Sequence, residues 1–106
     1  MSSTERIAVE RMDDRYELTV DGKVAGFAAF ADRGDDRVMY HTEIDEAFGG
    51  RGLSTELVTR ALEDIRASGK HVVAVCPLVA RFLVKHTEFA DLAQPVTDDV
   101  LEWLQR

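Results

Sequence analysis

Three stretches of this sequence carry side chains able to do chemistry: Gly49-Gly50-Arg51-Gly52-Leu53-Ser54-Thr55, His41-Thr42-Glu43-Ile44, and the sole cysteine, Cys76, followed by Pro77. The first is a glycine-rich turn that runs into a pattern of helical period. The first four N–H groups of a helix lack internal partners, and the helix dipole adds partial positive charge there. Glycines let the backbone approach a ligand and curl those N–H groups around an anion. A phosphate cradle is the chemistry such a turn offers. It is not a Walker loop, since no Gly-Lys-Ser/Thr follows, and it lacks the six-residue glycine spacing of a dinucleotide fingerprint. By itself the turn does not separate a cradle from an ordinary connection.

The other candidates each have two readings. His41 and Glu43 share a face of a predicted strand and suit a base and its orienter, or are ordinary polar residues on a half-wet strand. Cys76 lies just after a strand and before a helix, where helix amides can face the thiol. It is a nucleophile or proton donor, or a small buried hydrophobe. Arg51 neutralises phosphates or is a solvated first-turn residue. His86 reads as a helix C-terminal cap, and Phe89 and Trp103 as core anchors.

The elements that must position these groups are legible from period. Ile7-Ala8-Val9, Arg15–Val20, Lys23–Phe30 and Arg37–Asp45 read as strands, with Asp21-Gly22 as a hairpin turn and Asp32–Asp36 as a second polar turn. Together they predict a four-stranded antiparallel meander. On the fourth strand, alternation puts Val38, Tyr40, Thr42 and Ile44 opposite Met39, His41, Glu43 and Asp45. Leu53, Leu57, Val58, Ala61, Leu62 and Ile65 form one apolar stripe of a helix that ends at Gly69. Val72–Val75 is a wholly apolar run, as in a strand covered on both faces. Strand, helix, strand over this length predicts a βαβ unit with parallel fourth and fifth strands. Leu78–His86 reads as a second helix, and Thr97-Asp98-Asp99 opens a last one carrying Val100, Leu101, Trp103 and Leu104.

Size and charge narrow the classes. A chain of 106 residues suits one domain, residues 1–106. A net charge of −7 argues against a phosphate-backbone binder, so no nucleic-acid partner is expected. It is compatible with a cationic acceptor and equally with plain solubility. No apolar stretch approaches the roughly 20 residues of a membrane span, so no membrane partner is expected. With no secretion signal at the start and one free cysteine, the expected location is cytoplasmic. A lone cysteine also excludes a disulfide framework and a zinc knuckle, and no metal is expected.

The glycine turn resembles the Gln/Arg-x-x-Gly-x-Gly/Ala signature of GNAT acetyltransferases. Its positions fall on Gly49, Gly52 and Ser54; Gly49 lacks the polar side chain expected first, and Ser54 replaces the last small residue. A longer match runs in order through His41-Thr42-Glu43-Ile44, Gly50-Arg51-Gly52-Leu53, Val75-Cys76-Pro77 and Lys85-His86-Thr87-Glu88-Phe89-Ala90-Asp91-Leu92. This is similar to a minimal, single-domain GNAT subfamily with a His-Thr-Glu strand and a cysteine after the fifth strand. Thr87 stands where that subfamily often has proline, and Phe89 where it has tyrosine.

The resemblance implies an α/β fold with a mixed sheet, antiparallel at first and closed by a parallel strand 4–helix–strand 5 unit. It implies an acetyl-coenzyme A (acetyl-CoA)-dependent N-acetyltransferase acting on an amine, the alternative being a non-catalytic acyl-CoA-binding module. The fourth and fifth strands are then expected to splay. The pantetheine arm would pair with backbone from Thr42 to Ile44, like an added strand. Gly49, Gly50, Arg51, Gly52, Leu53, Ser54 and Thr55 would hold the pyrophosphate. Backbone N–H groups would stabilise the oxyanion. Cys76, Glu43 and His41 are the catalytic candidates.

Overall fold

A computed structural model describes residues 5–106. The sheet has six strands in the order β1 (Ile7–Arg11), β2 (Arg15–Val20), β3 (Lys23–Arg33), β4 (Asp36–Ile44), β5 (His71–Ala74) and β6 (Ala93–Gln94). Strands β1 to β4 form an antiparallel meander, and β5 pairs parallel to β4. This is the mixed α/β sheet expected of a GNAT fold. Three helices complete it: α1 (Leu53–Ala67), α2 (Pro77–Lys85) and α3 (Asp98–Leu104). The two-residue β6 adds a second parallel pairing, to β5, that no periodicity signals. Among the described residues, no helix is long and apolar enough to cross a membrane.

The main core lies between the sheet and α1. The predicted stripe Leu53, Leu57, Val58, Ala61, Leu62 and Ile65 is buried there against Tyr16, Leu18, Phe30 and Met39. Helix α1 ends as expected at Gly69, with Lys70 donating back to the Ile65 carbonyl and Gly69 to that of Arg66, the paired bonds of a Schellman motif. The opposite face is covered only in part. There Val38 and Val73 pack beneath Val100 of α3, with Val75, Trp103 and Leu104 around them. Strand β5 is therefore sandwiched: Val72 faces α1 and Val73 faces α3.

One departure from the sequence pattern matters for the site. The β3/β4 register shifts between Ala29 and Phe30, so that Ala29 opposes His41 and Phe30 opposes Met39. Tyr40 is the extra residue of a β-bulge, and such a bulge resets alternation. Regular alternation puts Met39 on the face of His41 and Glu43. Instead Met39 joins the core under α1 with Ile44, while the His41 ring lies 5.9 Å from that of Phe27 on the other face. The turn between β3 and β4 is also tighter than Asp32–Asp36, because both strands extend to the pair Arg33–Asp36.

Candidate functional site

Pairing of β4 with β5 runs only from Asp36–His71 to Met39–Ala74. It closes with the Cys76 N–H donating to the Met39 carbonyl at 2.9 Å. The chain then turns into α2, while β4 continues through Tyr40–Ile44 with β3 as its only strand partner among the described residues. The edge of β4 that faces away from β3 is thus open over this stretch, and the two parallel strands split. Short apolar β5 ends there because Pro77 takes the first helical position, where a missing N–H is harmless.

Cys76 lies across this split from Thr42. Its sulfur is 3.4 Å from the Thr42 hydroxyl, and the residue is only 4% exposed. Cys76 is also the N-cap of α2, but its side chain accepts no capping hydrogen bond. The expectation that α2 amides face the thiol is therefore replaced: the thiol turns toward the strand. His41 and Glu43 approach each other, with Nε2 to Oε2 at 3.7 Å and both side chains more than half exposed. The structure thus brings the three candidate residues together as two separate sets. Cys76 pairs with Thr42 on the α1 side of β4; His41 and Glu43 share the opposite side.

The glycine turn follows β4 directly. Asp45 caps a single 3₁₀ turn, Glu46–Phe48, by accepting from the Ala47 N–H at 2.9 Å. Gly50 and Gly52 then adopt φ of +76° and +70°, a region costly for residues with a Cβ. Gly52 is the N-cap of α1 and brings no side chain to satisfy the first-turn amides, which stay available to an external anion. The Arg51 side chain pairs with the Glu5 carboxylate and lies over the Phe48 ring.

Two cavities flank these elements. One, of about 590 Å³, lies between the first turn of α1 (Ser54, Thr55) and α2, with Leu78, Phe82, Arg81 and Lys85 in its wall. The other, of about 520 Å³, lies along β3 and the end of β4 and is lined by Val24, Gly26, Phe27, Ile44, Glu43, Asp45 and Glu46. The first carries basic groups and the second acidic ones. The basic cavity was not visible as a site in the sequence, although Leu78, Arg81, Phe82 and Lys85 do follow helical spacing. Among the described residues no group of His, Cys, Asp or Glu could hold a metal ion.

The perturbed ionisable groups lie elsewhere. Arg37, buried at the start of β4, donates to both Asp32 oxygens at 2.8 and 3.0 Å and to the Tyr16 hydroxyl at 2.7 Å. That hydroxyl in turn donates to Asp64 of α1 at 2.7 Å. The Arg37 hydrogen bonds hold the Asp32 carboxyl below its ordinary range. Burial, and the bond to Asp64, push the Tyr16 phenol above its own. This network ties α1 to β2, β3 and β4 at the end of β4 away from the split.

Comparison with known proteins agrees with this geometry. The sequence model of the GCN5-related N-acetyl-transferase family matches residues 15–92. A GCN5-like protein of Staphylococcus aureus, solved by NMR, superposes with a TM-score of 0.66 at 15% identity, over 86% of this chain and 91% of its own. The ribosomal-protein-S18-alanine N-acetyltransferase of Escherichia coli gives 0.52 at 20% identity, over 58% of this chain and 42% of its own. A GNAT-family protein of Desulfovibrio desulfuricans gives 0.51 at 17% identity, over 70% and 52%. At these identities the likeness is one of fold. No curated protein matches the sequence. With the family pattern spanning strand β2 through the segment after α2, the chain belongs to the GCN5-related N-acetyltransferase family.

Proposed function

We propose that the protein transfers an acetyl group from acetyl-CoA to a primary amine, with the whole chain acting as one domain. The observation that carries this reading is the split of β4 from β5 directly beside the uncapped N-terminus of α1. The residues present fit the co-substrate. The open edge of Tyr40–Ile44 suits an extended arm added as a strand, and the amides from Gly50 to Thr55 suit its pyrophosphate. Bound there, acetyl-CoA supplies the thioester carbon that the amine attacks.

The chain's own residues have distinct tasks in this reading. Backbone N–H groups of the open edge stabilise the oxyanion. The Cys76 thiol, held by Thr42, protonates the departing thiolate as the carbon–sulfur bond breaks. Glu43 or His41, on the acidic side of β4, takes the proton the amine loses, through water. Glu43, Asp45 and Glu46 favour a cationic acceptor in the cavity they line. A second reading, a non-catalytic acyl-CoA binder, is favoured by one observation: the two sets of candidate side chains lie on opposite faces of β4.

Two measurements test the proposal. Acetyl-CoA at a hundredfold excess over its dissociation constant is expected to stabilise the fold by about 2.7 kcal/mol. Free thiol release with a panel of amines is expected above the hydrolysis background. No melting shift at millimolar acetyl-CoA overturns both readings, and a shift without thiol release leaves the binder.

A further inference from the structure

The strongest unassigned feature is the basic cavity between α1 and α2. The chain is strongly acidic, and its cations are mostly used: Arg37, Arg60, Arg66 and Lys70, for example, each lie within 4 Å of a carboxylate. Arg81 and Lys85 hold no carboxylate among the described residues. They stand one helical turn apart on α2, a helix with no acidic residue of its own, so both project from the same face. Both are exposed, and both line the cavity that Ser54 and Thr55 close on its other side. Beside them the His86 ring stacks on Phe82 at 4.0 Å between centroids, with its Nδ1 3.8 Å from Glu88. Two like charges at this spacing repel each other and destabilise an isolated helix slightly. An anion between them removes that cost.

We infer that Arg81 and Lys85 read the ribose 3′-phosphate of the coenzyme, so that the protein discriminates coenzyme A from its 3′-dephospho form. The inference rests on the proposed function, because that reading seats the pyrophosphate on the amides from Gly50 to Thr55. Two parts of a coenzyme A molecule adjoin its pyrophosphate, and of these the pantetheine is uncharged. The phosphorylated adenosine is the one that brings a further anion to the cavity between α2 and Ser54–Thr55. Leu78 and Phe82 give the cavity an apolar wall for the nucleoside, and the two cations give it a place for a dianion. Arg81 offers a planar fork of donors and Lys85 a mobile point charge. Neither residue belongs to the glycine turn, so discrimination is separable from pyrophosphate binding.

The experiment compares dissociation constants for coenzyme A and 3′-dephospho-coenzyme A, in the parent protein and in the Arg81→Gln, Lys85→Gln double variant. The parent is expected to bind coenzyme A at least tenfold more tightly than the dephospho form, with a ratio that falls as salt is raised. The double variant is expected to lose that ratio while its affinity for the dephospho form stays unchanged. Both side chains are exposed, so its melting temperature should match the parent's. Equal binding of the two ligands by the parent, or an unchanged ratio in the double variant, overturns the inference while leaving the proposed function standing. Failure of the parent to bind either ligand overturns the proposed function, and this inference with it.

Discussion

The two halves of β4 have the same backbone and opposite circumstances. Asp36–Met39 is paired on both edges, to β3 and to β5, and its side chains are packed on both faces. Tyr40–Ile44 is paired on one edge only, and Tyr40, His41 and Glu43 are exposed. The closed half also holds the buried Arg37 network, which fixes α1 against the meander. Among the described residues, the open half has no such tie beyond the contact of Thr42 with Cys76. The contrast teaches that one strand can be closed scaffold over one half and open edge over the other when a bulge and an early-ending neighbour separate the two.

The largest expected effect comes from loosening the closed half. Arg37→Met removes a cation that serves Asp32 and Tyr16 together and lies 3.4 Å from an Asp64 oxygen. Breaking a buried ion pair by removing one partner costs about 3 kcal/mol at the lower end of its range, the end suited to a carboxylate that remains partly in water. Chemical denaturation should show that loss. A variant within about 0.5 kcal/mol of the parent would mean that the closed half does not depend on the network.

The open half should respond in rate rather than stability. Cys76→Ala is expected to leave coenzyme A affinity near normal and to lower turnover at least a hundredfold, roughly 2.7 kcal/mol of barrier. Thr42→Val, which keeps the shape and removes the hydroxyl that meets the thiol, should lower turnover in the same direction but by less. If both variants turn over at the parent rate, the contact is packing, and the open half works through its backbone alone.

The smallest effect is the dependence of stability on pH, and it sharpens the account of the closed half. Asp32 titrates lower when folded, so its contribution is present above the unfolded value near 3.9 and is lost as pH falls through the folded value. Tyr16 titrates higher when folded, so its contribution is complete below about pH 10 and is lost as pH rises through its folded value. Melting temperature measured across pH should fall at both ends. Asp32→Asn should flatten the acid limb and Tyr16→Phe the alkaline one. Limbs unchanged by these substitutions would remove the network from the explanation.

Much of this molecule is local. The meander, the apolar stripe of α1, its ending at Gly69, and the glycine turn before it all depend on residues within a few positions of one another. Period two, period 3.6 and turn chemistry therefore report them directly. The family resemblance is readable for the same reason, since its motifs are short and ordered along the chain. Other features depend on residues far apart. The bulge at Tyr40 exists only in the register of β4 on β3, and it decides that Met39 is core while His41 and Glu43 face away from Cys76. The Thr42–Cys76 contact spans the split between two strands separated by a whole helix. Arg37 reads in the sequence as one more strand residue, yet its charge is buried because Asp32, Tyr16 and Asp64 converge on it. Arg81 and Lys85 share a face of a short helix, and only the packing of α1 brings Ser54 and Thr55 opposite them. Sequence period determines which residues share a face; only tertiary packing determines what that face meets.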